Sequence, residues 1–235
     1  MDTWRAWELV LPELERHHDV LALTFPGHAG GPPLEGPISD ALLPDAIERA
    51  MDDAGFGTAH IVGNSLGGCV ALQLAARGRV ESVVALAPAG GWPKGDESFK
   101  ELLSFQLRVQ ARVTASAARA GAIVASADGR RRATELVVTN FEHIPAELIA
   151  HQIVGVASCK GASALIAYAI SRGTGSRRRG SPVRCGWCGA RPTSCCRGRP
   201  PLHASEMTGS PPPTGSSWRA LVTARSSMSR WRPHS

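Results

Sequence analysis

A glycine-flanked serine constrains this chain more than any other feature of its sequence. In the stretch His60-Ile61-Val62-Gly63-Asn64-Ser65-Leu66-Gly67-Gly68, an apolar run leads into the pattern G-x-S-x-G. This pattern is typical of a strand-to-helix turn so tight that small residues must sit two positions before and two after the serine, which leaves the hydroxyl exposed. Gly63 and Gly67 hold those positions. The alternative interpretation is that Ser65 is only a helix N-cap after a glycine turn.

Strand and helix patterns alternate around this turn. Apolar runs predict strands at Asp19–Phe25, Ala59–Val62 and Val80–Pro88. Helical spacing predicts helices at Trp4–His17, Asp45–Ala54 and Cys69–Ala76. Such alternation predicts crossover units and a parallel sheet. Ligands bind at the carboxyl ends of the strands in such sheets, and Pro26–Gly30, Ser65 and Pro88–Gly91 all fall at that edge.

The middle of the chain has a different pattern. From Phe99 to about Ile170 it is alanine-rich and helical, with breaks expected near Asp128-Gly129 and Ile144-Pro145. We therefore expect a helical cap over the edge of the sheet. The predicted organisation is a partial α/β core at 1–98, a helical cap region at 99–172 and a separate tail at 173–235.

Charge separates the tail from the rest of the chain. The net charge of +6 combines about −5 for residues 1–170 with +11 for residues 171–235, where 12 arginines meet the single acid Glu206. The tail also holds Pro211-Pro212-Pro213 and few aliphatic residues, so we predict that it is disordered. No apolar stretch of about 18 residues and no signal-peptide pattern occurs, so the expectation is a cytoplasmic protein without a membrane partner.

The tail carries a cysteine cluster that allows two interpretations. Cys185, Cys188, Cys195 and Cys196 have spacings that can ligate zinc. Together with the arginines, they leave open a non-catalytic scaffold whose basic tail binds nucleic acid or zinc. The interpretation that we prefer is that the tail is out of frame. The cysteines and arginines are then accidents of translation, and neither a metal site nor a nucleic-acid partner is expected.

The first 170 residues resemble the α/β-hydrolase fold family in its esterase-, lipase- and haloperoxidase-like branch. The resemblance rests on the Val-Gly-Asn-Ser-Leu-Gly-Gly turn, the upstream Leu-Thr-Phe-Pro-Gly-His-Ala-Gly loop, the downstream Val-Val-Ala-Leu-Ala-Pro strand and the helical cap. It implies an α/β fold with a parallel sheet flanked by helices. It also implies hydrolysis of an ester or related acyl substrate, a small molecule, without a cofactor.

The resemblance assigns roles to residues at the turn. Ser65 would be the nucleophile, and the backbone N–H of Leu66 would supply one of two oxyanion donors, while Gly63, Asn64 and Gly67 shape the turn. His28 lies in the upstream loop and is a candidate active-site residue, although a structural loop histidine is the simpler interpretation. A serine nucleophile argues against the epoxide hydrolases and haloalkane dehalogenases of this fold, which attack with a carboxylate.

The other catalytic groups of the family have no match in this frame. The family supplies its acid in a Trp-Gly-x-x-Asp pattern and its histidine in a late Gly-His, in the order Ser, Asp or Glu, His. Neither pattern is present. The loop that normally supplies the second oxyanion donor would precede Met1, so we expect a truncated beginning as well.

A shift of one nucleotide restores both patterns. Gly180–Arg197 can then encode I-T-C-P-L-R-V-V-W-G-A-A-D-L-V-L-P, and Trp218–Ser235 can encode E-G-V-G-H-C-P-Q-L-D-V-P-L-E-T-A-Q. We therefore predict a frameshift near residues 173–180 and impaired activity. The residues that could replace the lost acid and base are His28, His143, His151, Asp96 and Glu97.

Overall fold

The fold is built on one parallel β-sheet. A computed structural model of the chain describes residues 1–90, 92, 96–172, 185–186 and 219–223, the last two segments by their backbone alone. The strands are β1 (Asp19–Leu23), β2 (Ala59–Asn64), β3 (Val80–Leu86), β4 (Cys185–Gly186) and β5 (Arg219–Thr223). They lie in the order β1-β5-β2-β3-β4, and every pair is parallel.

Two helices cover one face of the sheet and form the main core. They are α2 (Leu42–Asp53) and α3 (Leu66–Ala76), which pack on each other, and α3 also packs on β2 and β3. Ile61 of β2 and Leu74 of α3 are fully buried in this cluster, as is Met51 of α2. Because side chains alternate along a strand, Ile61 and Val83 face these helices while their neighbours face the other way. The predicted parallel sheet flanked by helices is confirmed.

The beginning of the chain differs from its prediction. Instead of one helix over Trp4–His17, there is a 3-10 turn at Trp4–Trp7 and a short helix α1 at Leu11–Leu14. Pro12 lies in the first turn of α1. Proline has no backbone N–H and cannot continue a helix from the preceding turn, so the helical pattern is interrupted at this point.

The middle of the chain is helical, as its pattern indicates. Its helices are α4 (Ser98–Ser116), α5 (Ala120–Val124), α6 (Ala127–Thr134), α7 (Ala146–Ala157) and α8 (Ala162–Arg172). The predicted break at Ile144-Pro145 coincides with the start of α7. The break predicted near Asp128-Gly129 lies slightly earlier, at Ala125-Ser126 between α5 and α6. That helix begins after Ser126, whose hydroxyl accepts a hydrogen bond of 3.1 Å from the Gly129 N–H.

Two short pieces of the tail belong to the sheet. β5 lies between β1 and β2, with Leu221 opposite both Leu21 and Ile61. β1 and β2 would otherwise present unpaired backbone groups to each other, which is costly for buried strands. At these seven residues the structure therefore differs from the predicted disorder. The rest of the tail, with Cys188, Cys195 and Cys196, lies outside the described residues.

No single helix within the described residues is long and apolar enough to cross a membrane. The bent pair α7 and α8, which meet at 64°, passes the length and composition test only when the two are taken together.

Candidate active site

Ser65 lies at a sharp turn between β2 and α3. Its backbone has φ 52° and ψ −115°, a conformation that is strained for a residue with a side chain. The neighbouring strand fixes it: the Ser65 N–H donates to the Leu86 carbonyl at 2.8 Å, and the Ser65 carbonyl accepts from the Ala89 N–H at 2.8 Å. The turn is thus held from the β3 side before any substrate binds.

Close packing explains the glycines around the serine. A Cβ on Gly63 would overlap the carbonyl oxygen of Gly67, so β2 and α3 approach as closely as two backbones can. A Cβ on Gly68 would lie 3.0 Å from the Pro88 side chain. The predicted reason for small residues at these positions, a tight strand-to-helix turn, therefore matches the geometry of the turn.

The turn leaves a backbone donor beside the serine. Leu66 is the first residue of α3, so its N–H has no acceptor one turn earlier in the helix. It is positioned at the positive end of the helix dipole, which favours negative charge. Asn64 is exposed at the end of β2, while Ser65 and Leu66 are half-buried. A hydroxyl and an N–H donor are therefore adjacent at the carboxyl edge of the sheet.

A second strained residue follows β3. Ala87 has φ 40°, and among the described non-glycine residues it shares a positive φ only with Ser65. The Ala89 N–H that binds the Ser65 carbonyl comes from this same loop. Strain at the ends of two adjacent strands is typical of functional sites, where the surrounding structure enforces it. The sequence carries no signal for the conformation of Ala87.

The loop with His28 is anchored to the cap. The Gly161 N–H, between α7 and α8, donates to the Gly27 carbonyl at 2.7 Å. His28 is buried, its Nδ1 lies 3.2 Å from the Pro26 carbonyl, and its ring packs edge-on against Phe25. Burial lowers the pKa of His28 from its usual value, so the imidazole is held neutral. These contacts agree with a structural loop histidine.

The candidate acids and bases have other partners than Ser65. His151 Nε2 lies 2.9 Å from Thr3 Oγ1, and His143 is exposed in a 3-10 turn at Phe141–His143. Asp96 accepts from the Ser98 N–H at 2.9 Å, and Glu97 pairs with Lys100. Within the described residues, no side chain makes a hydrogen bond to the Ser65 hydroxyl. The structure brings Ser65 to the N-terminus of α3 but places none of these groups on the Ser65 hydroxyl.

One polar cluster near the turn has no signal in the sequence. Asp40 accepts hydrogen bonds from Tyr168 Oη at 2.9 Å and from Arg172 Nη2 at 2.6 Å, and so joins α8 to the segment before α2. Burial, and next the charge of Asp40, raises the pKa of Cys69, which follows the turn in α3. Cys69 is therefore a neutral thiol and not a competing nucleophile.

Metal binding has no support in the part of the chain that the structure describes. No group of three or more His, Cys, Asp or Glu side chains there could hold an ion. Of the zinc candidates, Cys185 is described by its backbone alone, and the other three cysteines lie outside the described residues.

Comparison with known proteins agrees with this architecture. The family model of the α/β-hydrolase fold matches residues 1–123, more than half of the 235-residue chain. The chain therefore belongs to the α/β-hydrolase fold family.

Its relatives carry different activities. It is 56% identical over 57 residues to the epoxide hydrolase EphH of Mycobacterium tuberculosis. The aligned segment covers 24% of this chain and 27% of that protein. It is 40% identical over 86 residues to the dihydrolipoyllysine-residue acetyltransferase component of the acetoin cleaving system of Cupriavidus necator, covering 36% and 23%. The chain thus spans about a quarter of the length of these curated relatives.

A solved structure is also similar. The crystal structure of a hydrolase from Pseudomonas aeruginosa PA01 aligns with 68% of this chain and 59% of its own, at 26% identity and a TM-score of 0.44.

Proposed function

We propose that Ser65 is the nucleophile of a hydrolase acting on carboxylic esters or related acyl substrates. The observation that carries the proposal is the strained turn, which presents the Ser65 hydroxyl beside the Leu66 N–H. Nucleophile and oxyanion donor are adjacent in this arrangement, as acyl transfer requires. The membership of the chain in the α/β-hydrolase fold family supports the same reaction class.

The reaction would proceed through an acyl-serine. The Ser65 oxygen attacks the carbonyl carbon, the C–O bond to the leaving alcohol breaks, and the serine proton leaves with that alcohol. The oxygen that carries negative charge in the tetrahedral intermediate accepts from the Leu66 N–H. Water then attacks the acyl-serine, releases the carboxylic acid and restores the hydroxyl.

We further propose that turnover is impaired in this chain. No described side chain takes the proton from Ser65, and loss of triad members costs roughly a millionfold in turnover in serine hydrolases. Electrophiles that need no base catalysis for their leaving group would still react. The expected behaviour is a slow stoichiometric acylation with little steady-state hydrolysis.

Epoxide hydrolysis is suggested by the name of one relative but disfavoured by the nucleophile. A carboxylate that opens an epoxide forms an ester, which water can hydrolyse. A serine would form an ether, and an ether does not hydrolyse under these conditions. We therefore expect no catalytic consumption of styrene oxide, whereas sustained diol production would contradict a serine nucleophile.

Labelling with a fluorophosphonate tests the main proposal. We expect the probe on Ser65 in the folded full-length chain, no probe at that position in Ser65→Ala, and loss of labelling in the urea-denatured protein. Peptide mapping by mass spectrometry identifies the labelled residue. A folded chain in which Ser65 remains unlabelled would refute the proposal.

A basic tail supports one competing proposal, a scaffold that binds nucleic acid through residues 171–235. The observation in its favour is the tail charge of +11. Electrostatic binding of this kind weakens steeply with salt. Retention on DNA that falls with salt, and falls further on replacing Arg177, Arg178 and Arg179 with glutamine, would support it. Retention that is unchanged by these substitutions would count against it.

A further inference from the structure

A second serine sits at the opposite end of the same two strands. In the pairing of β2 with β3, Ala59 lies opposite Val80 and His60 lies opposite Ser82, so Glu81 is an extra residue on β3. This is a β-bulge, which is rare in parallel pairs and redirects side chains where it occurs. Adjacent strand residues normally face opposite sides, but the bulge allows Glu81 and Ser82 to reach the same histidine.

The imidazole of His60 lies between the side chains of Ser82 and Glu81 and contacts both. His60 Nδ1 lies 2.8 Å from Ser82 Oγ, and His60 Nε2 lies 3.4 Å from Glu81 Oε2. Thr58 Oγ1 donates to the other Glu81 oxygen at 2.7 Å, which fixes the carboxylate. In the tautomer that carries its proton on Nε2, His60 accepts from the Ser82 hydroxyl through Nδ1, while the contact between Nε2 and Glu81 is at ion-pair distance and is not a hydrogen bond. The order is hydroxyl, imidazole, carboxylate.

We propose that Ser82, His60 and Glu81 form a second nucleophilic centre, which is acylated by small activated esters with an apolar acyl group. The arrangement has the general form of an activated nucleophile, a base held by a third group. In the Ser-His-Asp triad of serine hydrolases Nε2 faces the serine, whereas here Nδ1 of His60 faces Ser82 and Nε2 faces Glu81. The second centre does not involve Ser65, which follows His60 by five positions, about 16 Å along a strand.

The acyl group has a surface to bind. Val62 lies opposite Val84, next to His60 and Ser82 on the same face of the sheet, and Leu86 follows one pair further on. Val84 is 42% exposed and Leu86 is 36% exposed. We call Val62, Val84 and Leu86 the apolar strip. A short alkyl chain lying on this strip would place its ester carbonyl near Ser82, whose side chain is exposed.

The step balances without any further reagent. Ser82 Oγ bonds to the carbonyl carbon while its proton moves to His60 Nδ1, and the leaving alkoxide then takes that proton from Nδ1 as the C–O bond breaks. Glu81 stabilises the imidazolium that exists in between. Ser82 lies within β3 and not at a helix N-terminus, so it lacks the kind of donor that Leu66 provides beside Ser65, and we expect only esters with good leaving groups to react.

Acylation of the full-length chain in a Ser65→Ala background tests this centre apart from the first one. The chain is treated with p-nitrophenyl butyrate, and the acylated residues are mapped by mass spectrometry. We expect butyrylation of Ser82. Adding His60→Gln should lower its rate by at least about a hundredfold, the lower end of the range of about 10²–10⁴ that a positioned base contributes. Adding Glu81→Gln, which retains the histidine, should lower it by a smaller factor.

Two results would overturn the proposal. One is butyrylation of lysines with Ser82 unmodified in the folded protein. The other is an unchanged acylation rate at Ser82 in the His60→Gln variant or in the Glu81→Gln variant. The substituted residue would then make only a structural contact between the strands. Circular dichroism confirms the fold of each variant, and Glu81→Gln decides if His60→Gln fails to fold. Because Ser65 is absent throughout, neither result bears on the function proposed for the strained turn.

Discussion

The two ends of the β2–β3 pair present two serines in opposite ways. At the carboxyl end, Ser65 has the strained backbone and the helix N-terminus, but no described side chain bonds to its hydroxyl. At the amino end, Ser82 has an imidazole at 2.8 Å and a carboxylate behind it, but it lies on an ordinary strand. One end has a helix N-terminus beside its serine and no described side chain on the hydroxyl, and the other has an imidazole on its serine and no helix N-terminus.

The comparison shows that the two requirements of a serine nucleophile come from different levels of structure. The turn that places Ser65 at a helix N-terminus follows from local sequence, because glycines at 63, 67 and 68 allow the close approach of β2 and α3. Proton transfer needs a partner brought from elsewhere in the chain. At Ser82 the partner comes from the neighbouring strand, whose register a single bulge adjusts. A substitution that disturbs the glycine packing at the turn should therefore affect Ser65, whereas one that removes a cross-strand side chain should affect Ser82.

The variant that we expect to destabilise the protein most is Leu221→Pro, because β5 supports the sheet that carries both serines. Leu221→Pro takes the N–H from the middle of β5, which pairs with β1 and β2. An unsatisfied buried carbonyl costs about 1–3 kcal/mol, and the ring adds a steric conflict inside the sheet. We expect loss of more than 3 kcal/mol of unfolding free energy, an estimate that combines both terms, measured by urea titration with fluorescence detection.

Leu221→Val is the matched control for that variant, because it keeps the N–H and the β-strand preference. It should unfold near the wild-type urea midpoint. Equal midpoints for Leu221→Pro and Leu221→Val would mean that β5 contributes nothing to the sheet.

A smaller effect is expected from Gly63→Ala, which acts on the Ser65 end alone. The added Cβ overlaps the backbone of Gly67, which cannot rotate away, and overpacking of this kind costs about 1–3 kcal/mol. Fluorophosphonate labelling of Ser65 should fall with it, while butyrylation of Ser82 should persist. Thermal unfolding measures the loss of stability, and peptide mapping measures the labelling of Ser65 and the butyrylation of Ser82.

Gly57→Ala is its control. A Cβ at Gly57 meets nothing within 4 Å, so we expect little change in the unfolding temperature. If the two alanine variants behaved alike, close packing would not be the reason for a glycine at position 63.

The turn was predictable because its causes are local. The positions of Gly63 and Gly67 around Ser65 indicate the strand, the turn and the helix from nine consecutive residues. The bulge at Glu81 depends on register between two strands that are far apart in the sequence, and no pattern within Val80–Leu86 indicates it. For the same reason the insertion of β5 between β1 and β2 could not be predicted from the composition of the tail.

Added imidazole should change the acylation rates of the two serines differently. It can replace a missing base at Ser65 but adds nothing at Ser82, which already contacts His60. We expect acylation of Ser65 by p-nitrophenyl butyrate to rise up to about tenfold in molar imidazole, below the 10²–10⁴ of a positioned base. The rate at Ser82, mapped in the same samples, should rise only as much as that of a free serine peptide. An equal rise at both serines would mean that His60 does not act as a base.

The smallest expected effect concerns His28, which lies near the Ser65 end only. Burial lowers its pKa below the usual 6.5, so as pH falls below 6.5 the unfolded chain binds a proton that the folded chain excludes. Stability is therefore lost on acidification, by at most about 1.4 kcal/mol per pH unit for one proton.

His28→Asn tests this directly, because it keeps a donor for the Pro26 carbonyl and removes the titration. The difference in unfolding free energy between pH 7.5 and 5.5 should be smaller in this variant than in the wild type. His151, whose pKa is also lowered by burial, accounts for part of the remaining slope. A slope that is identical in wild type and His28→Asn would show that His28 is equally easy to protonate in both states.

The position of β5 has a consequence for how the chain is made. Asp19 pairs with Arg219, so β5, an interior strand of the sheet, is synthesised two hundred positions after its neighbour β1. Pairings of such long sequence separation form slowly. While the ribosome still holds the carboxyl-terminal part of the chain, β1 and β2 lack their shared partner and expose edges that other chains can join. The yield of folded protein should therefore depend on chaperones that hold the nascent chain until residue 223 has emerged.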